Sequence, residues 1–176
     1  IDSIIKTSNE EYIMSGNFYS DGIQLGDFKF TGTGGMIIKL ENKELGNPVV
    51  TNAEGIGANK EDEILSVSKT SDGGYIAGGY FQGSQIKVGE YTLTNNISST
   101  SSSNGLIIKY NSEREVEWAT NVGGSGSNEI KSIVETSDGG YMAVGTFYST
   151  IDVGGYTLTS KGSTDGMVIK YNADGE

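Results

Sequence analysis

The chain has 176 residues, 27 of them glycine, with one proline, no cysteine, no histidine and a formal net charge of −11. Glycine at about twice ordinary usage without matching proline excludes a collagen-like chain, and ten tyrosines, five phenylalanines and one tryptophan argue for a packed core. Lacking Cys and His, the sequence offers no disulfide framework, thiolate or imidazole metal site, or Ser-His-Asp triad, and 12 basic against 23 acidic residues oppose a nucleic-acid footprint.

In chain order, residues 1–12 open with strand-like sequence ending at Tyr12, and the same pattern returns at 64–75 and 130–141, ending at Tyr75 and Tyr141. In the last two copies the closing residues read Thr-Ser-Asp-Gly-Gly-Tyr. A glycine follows four positions after each tyrosine (Gly16, Gly79, Gly145) and a phenylalanine six after (Phe18, Phe81, Phe147). A second landmark is Leu-Gly-Asp-Phe-Lys-Phe at 25–30, Val-Gly-Glu-Tyr-Thr-Leu at 88–93 and Val-Gly-Gly-Tyr-Thr-Leu at 153–158. A third is Gly-Met-Ile-Ile-Lys-Leu at 35–40, Gly-Leu-Ile-Ile-Lys-Tyr at 105–110 and Gly-Met-Val-Ile-Lys-Tyr at 166–171. Three ordered landmarks in three copies define repeats of 60-odd residues, with units at 1–63, 64–129 and 130–176.

Every unit reads as β. Residues 64–70 predict a first strand, 71–74 a hairpin turn with glycines for positive φ, and 75–81 a second strand. Residues 105–110 form a third strand rich in β-branched side chains, and 116–120 alternate as a half-exposed fourth. No window has a helical apolar period, so the fold class is all-β. Four antiparallel strands repeated every 60-odd residues predict four-stranded β-propeller blades, with a solenoid or a β-sandwich as rival architectures. Small Ser3, Ser66 and Ser132 at one matched position suit strands crowding toward a central axis.

These motifs resemble those of the secreted bacterial β-propeller repeat family: Thr-Ser-Asp-Gly-Gly-Tyr, then Val-Gly-Gly-Tyr-Thr-Leu-Thr-Ser before Asp165-Gly166, and Glu115-Val-Glu-Trp118 before Gly123-Gly124. The resemblance covers essentially the whole chain and implies a secreted or surface-displayed, noncatalytic propeller with no agreed ligand. The first unit departs from it, with Asn9-Glu10-Glu11 in place of Asp-Gly-Gly and Pro48-Val49 near the expected tryptophan, which predicts an end or worn blade, or an altered hairpin.

The matched lysines Lys39, Lys109 and Lys170 are expected to cover apolar surface or to pair with neighbouring units rather than bind a ligand. Asp72 and Asp138 suit Asx turns before Gly-Gly. The acidic run 59–63 lacks the order of a calcium loop, so no cofactor is expected, with structural calcium as an alternative. The glycine-rich pieces 32–35 and 123–126 precede strands and read as turns rather than phosphate loops. Segments between second and third strands vary in length, and variable loops on a repeated frame commonly carry recognition. Tyrosines beside amide and carboxylate groups there nominate Tyr19, Asp21, Tyr80, Gln82, Tyr148 and Asn128 as ligand contacts, with the matched phenylalanines assigned to the core. The run 94–104 is low-complexity, reads as a mobile loop and carries a glycosylation sequon at 96–98.

Matching Lys170 to Lys109 leaves the third unit without a counterpart of residues 116–129, including the outer strand. Known closed propellers need about four blades, so further blades from a longer chain or another copy are expected to complete this one. The resulting reading is an extracellular, noncatalytic surface or adhesion module that presents loops to a glycan or protein, with no membrane insertion. The alternatives are a structural spacer or self-assembly unit, and a glycan-cleaving propeller enzyme built on a carboxylate pair.

Overall fold

The computed structural model describes residues 1–8, 10–42, 48–57, 60–95 and 102–176, with the side chains of Ser20 and Asp21 outside the description. The fold is all-β and antiparallel. Sheet 1 contains β1 (Ser3–Lys6), β2 (Glu11–Leu25), β3 (Phe28–Asn42) and β4 (Pro48–Ile56), paired in that order. Sheet 2 opens with β5 (Glu63–Lys69) and β6 (Tyr75–Gln82), and the hairpin β7 (Gln85–Val88) and β8 (Tyr91–Thr94) is inserted after β6. Its remaining strands are β9 (Ser103–Tyr110) and β10 (Val116–Val122). Sheet 3 contains β11 (Asn128–Glu135), β12 (Tyr141–Phe147) and β15 (Asp165–Tyr171), with the hairpin β13 (Thr150–Val153) and β14 (Tyr156–Thr159) inserted in the same place.

Each repeat is therefore one meander, and none of the sheets closes on itself. The inserted hairpins are the main departure from the sequence expectation, which took the second landmark as loop. Gly89 and Gly154 supply left-handed turn residues (φ 57° and 55°), and four-residue strands pair on either side. In sheet 1 the same landmark extends β2 and β3 into one long pair with a bulge between Ser20 and Ile23. The glycines at 32–35 lie inside β3, not in a turn; a Cβ on Gly35 would come within 2.8 Å of Ile64 Cγ1, so glycine there lets sheet 2 approach.

Alternation sends successive side chains to opposite faces of each sheet. Tyr75, Ala77 and Phe81 of β6, with Leu106, Ile108 and Tyr110 of β9, join Ile13 and Ile37 of sheet 1 in one core cluster. Ile76 and Ile107 turn the other way and join Ile130, Ile133, Ala143 and Phe147 of sheet 3 in a second. All of β9 is buried, as the uninterrupted apolar run requires. The matched phenylalanines Phe18, Phe81 and Phe147 are core residues. First strands of neighbouring sheets meet through the matched serines: Ser3 Oγ donates to the Val67 carbonyl at 3.4 Å, and Ile133 N–H donates to Ser66 Oγ at 3.4 Å. A larger side chain would hold these strands apart.

Turn chemistry repeats as well. Asp72 Oδ1 accepts from Gly74 N–H (2.9 Å) and Thr70 Oγ1 (2.5 Å), and Asp138 Oδ1 accepts from Gly140 N–H (3.2 Å) and Thr136 Oγ1 (2.5 Å). These are the expected Asx turns. The lysines pair within their own sheet rather than with a neighbour. Lys109 Nζ lies 2.7 Å from both Asp72 and Glu117, and Lys170 Nζ 2.7 Å from Asp138. In sheet 1, where Asn9 replaces the turn aspartate, Lys39 takes Glu11 (2.5 Å) and Glu41 (3.1 Å) instead. Strand register places Asn52, not Pro48, at the position of Trp118, since Lys39 pairs with Asn52 as Lys109 pairs with Trp118.

Candidate functional site

First strands begin, and second strands end, at the same end of the sheets, so this end gathers loop residues from all three repeats. Glu63 opens β5 and pairs across the ladder with Tyr80 near the end of β6. Tyr19, on the neighbouring second strand β2, is exposed and donates its hydroxyl to the Glu63 carboxylate. Two tyrosines from adjacent sheets thus converge on one carboxylate. That hydrogen bond, followed by burial and the Glu63 charge, pushes the Tyr19 phenol up to about 12. Burial first, then Glu63, pushes Tyr80 upward too. Both remain neutral hydrogen-bond donors through the physiological range.

Glu129 occupies the matched place on β11, opposite Thr146, and pairs with Lys131. Beside it, Tyr148 is exposed and borders an open cavity of about 340 Å³ that Ser102, Ser127, Glu129 and Thr164 also line. The 123–127 connection is tied to the start of the β13–β14 hairpin: Ser125 N–H donates to the Thr150 carbonyl (3.1 Å) and Tyr148 N–H to the Ser127 carbonyl (3.1 Å). In the connection between sheets 1 and 2 the corresponding tie is Gln82 N–H to Asp62 Oδ1 (2.9 Å), and Thr33 Oγ1 of β3 also donates to the Lys60 carbonyl (3.0 Å). Connections between sheets and the ends of second strands therefore share one surface.

The six nominated residues divide. Tyr19 and Tyr80 meet at Glu63, whereas Tyr148 borders a cavity that neither of them lines. Gln82 is half-buried and its backbone N–H is held by Asp62 Oδ1 at 2.9 Å. Asn128 is fully buried, its Nδ2 donating to the Gly126 carbonyl at 2.7 Å, so its side chain shapes the connection from inside. The Asp21 side chain lies outside the described residues, as do Asn59 of the acidic run, the sequon at 96–98 and most of the low-complexity loop. Glu63 was missed as a contact because its carboxylate gains partners only when β2 and β6 converge on it. Among the described residues no group of three or more carboxylates could hold a metal ion, and no helix is long and apolar enough to cross a membrane.

No family model matches the chain, and no curated protein matches it.

Proposed function

We propose that the three sheets are consecutive blades of a β-propeller, partial in this chain and completed by further blades from a longer chain or another copy. We infer that the unit is a noncatalytic, extracellular binding module of the surface or adhesion type, presenting its loop end to a glycan or protein. The observation that carries the reading is the convergence of Tyr19 and Tyr80 on Glu63, with Tyr148 exposed at the same end. An exposed phenol ring offers a stacking face, and a carboxylate beside it accepts hydroxyl hydrogen bonds, which is the chemistry a sugar ring needs. The resemblance to secreted bacterial propeller repeats supports the same assignment. A glycan array probed with the chain and with Tyr19→Ala and Tyr148→Ala tests it. Loss of signal in either variant supports the reading, and binding unchanged in both rejects these contacts.

A second reading, a spacer or self-assembly unit, draws on the two outer sheet faces. Ile4 on the outer face of sheet 1 is 57% exposed, while its counterparts Val67 and Ile133 are buried between sheets. Val134, Val144 and Val168 are exposed on the outer face of sheet 3, where sheet 2 carries buried Ile107. Concentration-dependent association without small-ligand binding is its signature.

A further inference from the structure

The two junctions between neighbouring sheets differ at a matched pair of positions. Where sheets 2 and 3 meet, Trp118 of β10 reaches across. Its ring meets the Tyr141 ring edge-on with centroids 5.6 Å apart, and its Nε1–H donates to the Ala173 carbonyl at 3.2 Å. Gly175 makes room for it, since a Cβ there would lie 2.8 Å from the indole. Where sheets 1 and 2 meet, strand register puts Asn52 of β4 in the place of Trp118. Arg114 stands in the place of Gly175: its N–H donates to the Asn111 carbonyl (3.0 Å) as that of Gly175 does to the Asn172 carbonyl (3.2 Å). Both keep a left-handed backbone, at φ 70° and 82°. An indole and a glycine are thus exchanged for an amide and a guanidinium.

An open groove of about 680 Å³ lies at the exchanged pair, lined by Asn52, Glu54, Glu90, Arg114, Glu115 and Val116. Its charges belong to this junction alone. Register puts Thr120 in the place of Glu54, and Gly154-Gly155 in β13–β14 match Gly89-Glu90 in β7–β8. Glu54 and Arg114 are both half-buried and face one space without meeting; among the described residues neither has an ion-pair partner. Burial dominates at Glu54 and pushes its carboxyl up. A partly desolvated charge gains most from a partner of opposite sign. A ligand that carries both signs satisfies the two at once.

We propose that this groove is a binding site for a free α-amino acid with a neutral or basic side chain. The ligand carboxylate takes the Arg114 guanidinium and the Asn52 amide, its ammonium takes Glu54, and its side chain lies toward Val116. Guanidinium and carboxylate pair through two parallel hydrogen bonds, which fixes the ligand's orientation. Glu90 and Glu115, both exposed at the groove, repel an acidic side chain. The site lies toward the opposite end of the sheets from Tyr19 and Tyr80, goes beyond the loop-end binding reading and is independent of it.

The test titrates the full 176-residue chain with L-lysine, L-leucine, L-glutamate and N-acetyl-leucinamide, followed by backbone amide shifts in NMR at fixed pH and ionic strength. Saturable shifts are expected at residues 52–54, 89–90 and 114–116, with lysine and leucine binding more tightly than glutamate and the blocked amide not binding. Glu54→Gln and Arg114→Gly should each weaken binding at least about tenfold, because each removes a charge-assisted hydrogen bond. Neither threatens the fold, since the first removes a half-buried charge and the second suits the left-handed backbone. Asn52→Trp combined with Arg114→Gly installs the pair found at the other junction and should abolish binding while holding Tm at or above that of the parent. Absence of saturable shifts at about 20 mM of lysine and leucine overturns the site. So does equal binding of the blocked amide, or binding that survives the double variant.

Discussion

The Lys109 ammonium sits out of water between Asp72 and Glu117 and also donates to the Tyr110 carbonyl at 2.9 Å. Burial pushes it toward the neutral form, but the two carboxylates outweigh that and hold it above the ordinary lysine value. Leaving this charge buried without partners is the costly change, whereas exchanging it for an apolar group of similar size is not. Asp72→Asn combined with Glu117→Gln should therefore cost about 3 kcal/mol in urea unfolding, and Lys109→Met should be near neutral. Burial of Asp72 opposes its ionisation, yet hydrogen bonds from Lys109, Thr70 and Gly74 prevail and hold its carboxyl at about 2. A depressed folded value means stability that is present above the ordinary carboxylate range and is lost as pH falls through about 2. Asp72→Asn should flatten that part of the acid-unfolding curve, read by circular dichroism. Glu54 works with the opposite sign. Burial pushes its carboxyl up, partly opposed by the Tyr110 hydroxyl, so it weakens the fold as pH rises through its raised value, and Glu54→Gln should relieve this at neutral pH.

Among the elements, the pairing of first and second strands rests on the repeated glycine. Register shifts by one residue between Ile64 and Ser66 and between Ile130 and Ser132, and a Cβ on Gly79 or Gly145 would fall on the carbonyl oxygen of Glu63 or Glu129. Backbone cannot yield there as a flexible side chain would. Gly79→Ala is expected to destabilise by about 2–3 kcal/mol in a denaturant titration. The inserted hairpins allow a finer comparison. Gly89 and Gly154 share a left-handed φ, which costs an L-residue about 1–2 kcal/mol. Gly89→Ala must also press on Val116, whereas Gly154→Ala meets open space, so the first should lower Tm more than the second. These hairpins were legible in the sequence as Gly-Glu and Gly-Gly flanked by alternating residues. They escaped because four-residue strands are too short to outweigh the impression of a variable loop.

For the whole molecule, the same sheet-on-sheet contact occurs twice within the chain, and its two halves are left open at opposite ends. Ile4→Lys with Val134→Lys should leave the melting temperature nearly unchanged, since both side chains are already exposed, while reducing any self-association in sedimentation velocity. Ile107→Lys, buried between sheets 2 and 3, should abolish cooperative unfolding.

The sequence by itself determined the all-β class, the three repeats, the Asx turns and the burial of Phe18, Phe81 and Phe147, because strand periodicity and turn chemistry are local and recur in matched positions. The partners of the repeated lysines, the meeting of Tyr19 and Tyr80 at Glu63 and the burial of Asn128 were decided only by the tertiary structure. Each depends on which sheet lies against which, and that is set by packing between residues dozens of positions apart.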